Sequence, residues 1–89
     1  MELIAKGEFY RNVALLKNRK LAKELDETLR QMQKAKTIAQ LPQLIKLEKF
    51  AVHYRVKVSK DYRIGLIIRG NKVWLACFGH RNNFYKNFP

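Results

Sequence analysis

The stretch YRVKVSKDYRIGLIIRGNKVWLACF, residues 54–78, decides the fold. From Ala51 onward the hydrophobic period is two, the signature of a strand with one buried face. Val52, Tyr54, Val56 and Val58 fall on one side, and His53, Arg55 and Lys57 on the other. In YRIGLIIR the residues Tyr62, Ile64, Leu66 and Ile68 oppose Arg63, Gly65, Ile67 and Arg69, and KVWLACF reads as a third strand. Gly70-Asn71 suits a tight two-residue hairpin between the second and third strands, and the loop SKD joins the first two. The expectation is a three-stranded antiparallel meander.

Upstream the period changes. MELIA suits a short first strand, and Phe9, Val13 and Leu16 recur at helical spacing. Leu21, Leu25, Leu29 (or Thr28), Met32 and Ala35 then mark one face of an amphipathic helix whose other positions are charged or amide-bearing. Asn18 is placed to cap it, separating two helices into a hairpin. Pro42 closes the helical region, and LPQLIKLEKF reads as a connection, neither helix nor strand. The predicted fold class is α+β: a short N-terminal strand, a helix hairpin packed on one sheet face, then the meander. Residues 1–89 form a single domain, since this length supports one modest core.

Hydrophobic residues make up 47% of the chain, enough to fold. The lone Cys77 excludes an internal disulfide and a cysteine-rich zinc site, consistent with a reducing cytoplasm, where the chain is expected to act. MELIAKGEF carries charge and no apolar core of a signal peptide, and no apolar run approaches the roughly 20 residues of a membrane span. No membrane association is expected. Nineteen Lys and Arg against seven Asp and Glu give a net charge of +12, a field that attracts polyanions. The excess is uneven: residues 51–89 hold eight basic residues against Asp61 alone.

Alternation sorts those charges. If the aliphatic face packs on the helices, Arg55, Lys57 and Arg63 share the opposite face. Arg81 follows the last strand, with His80 and Tyr85 at the margin of the patch and Lys60 in the loop beside it. Any one such residue is an ordinary solvent residue. Clustered like charges with only Asp61 nearby make more sense beside a bound anion. Trp74, Phe78 and Phe84 read as packing residues, and His53 as a solvent-face residue.

With DYRIGL following YRVKV, and GHRNNFY after the last strand, the second half of the chain resembles the RelE/ParE superfamily of bacterial toxins from type II toxin–antitoxin systems. The resemblance covers about half the chain in motif terms. It implies a RelE-like fold and, in the RelE-like branch, an endoribonuclease that cleaves mRNA in the ribosomal A site and inhibits translation. A cognate antitoxin, acidic and partly disordered until bound, is the implied partner, and their complex would form higher oligomers. Carried over by position, the family's basic residues fall on Arg55, Lys57, Arg63 and Arg81, and its terminal tyrosine on Tyr85. Arg55 departs from the prototype's lysine, and a guanidinium scarcely titrates. The segment from Arg81 to Tyr85 is also shorter.

Cleaving RNA through its own 2′-OH requires a base for that proton, cations for the phosphorane and an acid for the leaving 5′-oxygen. Neither paired carboxylates nor a metal-ligand cluster is evident, so metal-free catalysis without a cofactor is expected. Arg63 and Arg81 suit the phosphorane, because guanidinium contacts two oxygens at once. Lys57 would stabilise the same charge or move a proton, His80 is a candidate acid or base, and Tyr85 would stack on a base or exchange a proton. Arg55, Lys57, Lys60, Arg63 and Arg81 form the expected RNA-binding set. Two alternatives remain open: a ParE-like inhibitor of DNA gyrase, sharing the fold without the chemistry, and a non-catalytic RNA-binding domain.

Overall fold

In the computed structural model, which describes residues 1–89, the predicted meander is the centre of a larger sheet. Its strands are β3 (His53–Val58), β4 (Tyr62–Arg69) and β5 (Lys72–His80). Two edge strands flank them, β1 (Glu2–Ala5) and β2 (Leu44–Lys46), in the order β1-β5-β4-β3-β2. β1 lies parallel to β5, with Leu3 opposite Val73, and every other pairing is antiparallel. β2 falls inside the segment that reads as a connection; Leu44 pairs with Val56 and Lys46 with Tyr54. Three residues are too few for alternation to declare itself, so the pairing with β3 defines this strand.

The hairpin between β4 and β5 has two central residues, and Gly70 supplies the positive φ (+59°) that the tight turn needs. Opposite Gly65 and Leu66, β5 carries one extra residue: Gly65 faces Cys77 while Leu66 faces Leu75, leaving Ala76 as a bulge.

Helices α1 (Gly7–Ala14) and α2 (Arg19–Lys34) form the expected hairpin. Asn18 caps α2, its Oδ1 accepting the Leu21 N–H at 3.0 Å. Phe9, Leu21, Leu25 and Met32 turn inward onto Val56, Val58, Ile64, Leu66, Ile68, Val73, Leu75 and Phe78. This is the main core, and its members are those that the two periodicities select.

A third helix, α3 (Arg81–Asn87), leaves the end of β5 and folds back across the opposite sheet face. It buries Phe84 and Phe88 outside the main core. Their rings lie 5.4 Å apart, and Phe88 sits 5.6 Å from the ring of His53. Gly65 makes room for them: a Cβ there would stand 2.9 Å from the Phe88 ring and 2.8 Å from Cys77 Sγ. The helix hairpin packs on one sheet face as expected, and the unexpected short α3 covers part of the other. His53, expected in solvent, is instead wedged between Phe50 and Phe88 with its Nδ1 buried and unpaired. No helix is long and apolar enough to cross a membrane.

Candidate nucleic-acid interface

Register brings the cations of β3 and β4 together. Lys57 and Arg63 are directly opposed across the two strands, and Arg63 in turn opposes Gly79 on β5. All three lie on the sheet face away from α1 and α2, as alternation requires.

Arg63 is buried, unusual for an arginine on an outer face. Its Nη1 donates to the carbonyls of Lys60 (3.1 Å) and Tyr62 (2.9 Å), which fixes the guanidinium against the β3–β4 turn. Nε is buried without a partner, and Nη2 makes no hydrogen bond within the protein. A buried, unpaired guanidinium donor is costly to keep, by about 1–3 kcal/mol. Nη2, which is neither hydrogen-bonded within the protein nor enclosed, is the guanidinium donor open to a phosphate oxygen.

Beside it, Lys57 and Lys60 line an open depression of about 400 Å³ with Gln43 and Ser59. Gln43 (φ 53°) and Ser59 (φ 60°) both hold left-handed backbone, which costs a non-glycine residue about 1–2 kcal/mol. Strain of this kind gathers at binding sites.

Arg81 opens α3 at the same end of the sheet. Its backbone N–H donates to the Asp61 carbonyl at 2.6 Å, and its Nε lies 3.5 Å from Asp61 Oδ1. Asp61, the one acidic residue near the cluster, is thus its local counter-charge: the β3–β4 turn aims it at the start of α3. With the side chains 53% and 42% exposed, this pair is worth about 1 kcal/mol or less, and a phosphate would displace it readily. Five cations (Arg55, Lys57, Lys60, Arg63 and Arg81) then face one carboxylate.

Arg55 and Tyr85 sit one row further along the outer face. Arg55 opposes Gly65, and its guanidinium carbon lies 5.9 Å from the centre of the Tyr85 ring, within cation–π reach. Tyr85 is exposed, its ring edge-on to Phe84 at 5.0 Å, and available for stacking. His80 is placed differently. It opposes Tyr62 on the helix-facing side of the sheet, with the rings 5.2 Å apart. Its Nδ1 accepts the Asn82 N–H at 3.1 Å and caps α3. Only Nε2 remains free for a ligand.

Cys77 lies against the backbone of Gly65, and burial pushes its thiol up to about 11. On α1, hydrogen bonds from Arg11 and then Asn12 hold the Glu8 carboxyl below its usual range. Asn12 also spends its Oδ1 on the Phe78 N–H at 2.9 Å, satisfying the β5 edge where β1 no longer covers it. No three His, Cys, Asp or Glu side chains gather as a metal-ion cluster. Gln43, Ser59, Asn12 and Gly79 escape a sequence reading, because each acquires its place only through the register of the sheet or the path of a loop.

No family model matches the sequence, and no curated protein sequence matches it. Solved structures do. A RelE toxin in complex with the RelB antitoxin from Methanococcus jannaschii is 19% identical, with a TM-score of 0.79 over 97% of this chain and 99% of that one. The YoeB–YefM complex from Staphylococcus aureus gives 13% identity and a TM-score of 0.71 over 90% and 95% of the two chains. The archaeal RelE–RelB complex from Pyrococcus horikoshii gives 14% and 0.70 over 93% and 97%. At these identities the likeness concerns the fold, and the fold is that of the RelE-like toxins.

Proposed function

We propose that this chain is the toxin of a type II toxin–antitoxin pair and an endoribonuclease acting on mRNA, most effectively on the ribosome. The observation that carries the reading is Arg63: a buried guanidinium, oriented by two turn carbonyls, with its Nε unpaired and Lys57 directly across the ladder. An ordinary solvent-facing arginine needs none of this.

Placement supports the following division of labour. Arg63 and Arg81 hold the non-bridging oxygens of the scissile phosphate and stabilise the phosphorane as the 2′-OH attacks. Lys57 stands beside Arg63 and adds charge or exchanges a proton; Arg55 and Lys60 grip the flanking phosphates. Tyr85, steadied by Arg55, stacks on a neighbouring base. Lys57 and Tyr85 are the groups of this face that exchange a proton; His80, on the helix-facing side with its Nδ1 capping α3, takes no part in the step. The leaving 5′-oxygen takes a proton and the other product carries a 2′,3′-cyclic phosphate.

Two lines support an antitoxin partner. The similar solved toxins were captured with RelB or YefM. A chain of net charge +12 with an open basic face also suits an acidic polypeptide that orders on binding. The test is inducible expression in bacteria, wild type beside Arg81→Ala, with 5′-end mapping of a translated reporter. Discrete cuts inside the translated region that vanish in the variant are expected. Growth arrest with intact mRNA and a DNA-damage response would overturn the reading.

A further inference from the structure

Register sets a row of polar residues across the outer sheet face. Lys57 opposes Arg63 one strand spacing away, about 5 Å. One rung beyond the Leu44–Val56 pair, the chain brings Gln43 beside Lys57. Ser59 and Lys60 follow the end of β3, and these four residues line the open depression of about 400 Å³.

The lining is chemically one-sided. Two ammoniums, a hydroxyl and a carboxamide can each donate a hydrogen bond, and neither a carboxylate nor an apolar side chain is among them. None of the four is engaged elsewhere. The ion pairs of the protein join Arg11 to Glu8, Arg30 to Asp26 and Arg81 to Asp61, which leaves both lysines without a counter-charge. The Gln43 carboxamide and the Ser59 hydroxyl make no hydrogen bond within the protein; the turn around Ser59 is held through the carbonyls of Lys60 and Tyr62. Asp61 belongs to a separate depression, which it lines with Asn18, Lys20 and Glu24. A phosphodiester offers acceptors only, so every group of the lining can serve it at once.

Ser59 holds its place against its backbone preference. Its φ of 60° is left-handed, where glycine is favoured, and its exposed side chain gains nothing from packing. Gln43, at φ 53° and also exposed, is in the same position. Glycine would relax the chain at either site. What the two side chains bring to the depression is their donors.

From this row we propose that the depression is a second phosphate subsite, seating the phosphodiester next to the one on Arg63, with the Ser59 hydroxyl and the Gln43 carboxamide donating alongside Lys57 and Lys60. This rests on the RNA reading above and adds to it the path of the strand, which crosses the outer face from β4 toward β2. The ammoniums supply the salt-sensitive attraction, and the two neutral donors fix where the phosphate sits.

The test is fluorescence anisotropy of the full chain with a short single-stranded RNA, over a series of salt concentrations and beside thermal melts. The RNA carries 2′-O-methyl ribose throughout, which removes the nucleophile for its own cleavage. Ser59→Gly should melt at or above the wild-type temperature, because the strain is relieved. It should nevertheless bind the RNA about fivefold more weakly, with an unchanged salt slope because no charge is lost. Ser59→Ala should lose the same affinity without the gain in Tm, which separates the hydroxyl from the backbone. Gln43→Ala should also weaken binding about fivefold. Lys60→Ala should weaken binding and reduce the slope by about 0.7, one phosphate contact on a single strand. Wild-type affinity in Ser59→Gly and Gln43→Ala, or a slope untouched by Lys60→Ala, would overturn the subsite. The two readings fail separately. If Arg81→Ala weakens binding while the Ser59 and Gln43 variants do not, the RNA interface stands and the subsite falls; a wild-type chain that leaves the RNA unbound overturns both.

Discussion

Replacing Gly65 by alanine probes the contact that holds α3 on the sheet. The new Cβ would stand 2.9 Å from two carbons of the Phe88 ring and 2.8 Å from Cys77 Sγ, closer than real Cβ contacts come. Either the sheet and ring shift together, an overpacking cost of about 1–3 kcal/mol, or Phe88 leaves its site and forfeits about 1.5–3 kcal/mol of burial. Both routes converge on about 2 kcal/mol, which in a domain of this size lowers Tm by about 8–16 °C. Thermal unfolding followed by circular dichroism gives the number, and a double-mutant cycle gives the cause. Phe88→Ala alone should cost about 3 kcal/mol. In that background Gly65→Ala should cost at least about 1 kcal/mol less than in the wild type, because the Phe88 clash is gone and only the approach to Cys77 Sγ remains. Additivity of the two changes within about 0.5 kcal/mol would refute the account of α3 docking.

Other expectations follow from single contacts. Cys77, with its thiol raised to about 11 by burial, holds about one thiolate per thousand at pH 8; iodoacetamide should alkylate it about a hundred times more slowly than in the urea-unfolded chain, a ratio read by mass spectrometry. The sign of that shift also means that Cys77 withdraws stability as pH rises from about 9 to about 11, since the unfolded thiol ionises first. Asn12→Ala leaves the Phe78 N–H without its acceptor and should cost about 1–2 kcal/mol in urea unfolding, with faster amide exchange at Phe78. Asp61→Asn should change stability by less than about 1 kcal/mol but free Arg81, tightening RNA binding and steepening its salt dependence by about one phosphate contact. Unchanged affinity and slope in Asp61→Asn would remove Arg81 from the interface.

The meander, the helix hairpin and the inward faces of both were legible because burial on one face imposes a period on the sequence. The strand ladder then carried Arg55, Lys57 and Arg63 to a common face without further information. What escaped depended on short elements and on tertiary direction. Three residues of β2 show no period. α3 is two turns long and opens on His80, an unusual cap, followed by Asn82 and Asn83, both modest helix formers. Its one signal is the four-residue spacing of Phe84 and Phe88, which matches Gly65 only once the chain has folded. The same fold-back explains His53: alternation placed it on the outer face correctly, but α3 and Phe50 cover that position. Likewise the Asp61–Arg81 pair is set by the turn direction, and His80 went to the helix-facing side because the bulge at Ala76 shifts the alternation of β5.

The central claim is that the basic end of the sheet cuts RNA through the RNA's own 2′-hydroxyl. The most direct measurement uses purified protein, programmed ribosomes and two mRNAs differing only by a 2′-deoxy substitution at the mapped cut. The account expects the all-ribose mRNA to be cut, leaving a 5′-hydroxyl and a 2′,3′-cyclic phosphate, and the 2′-deoxy mRNA to stay intact at that position. Arg63→Ala and Arg81→Ala should each lose at least about a hundredfold in rate, the scale for removing one preorganised donor to the developing charge. Cleavage of the 2′-deoxy mRNA at the same bond, or an all-ribose mRNA left whole by a folded, growth-arresting protein, would contradict it.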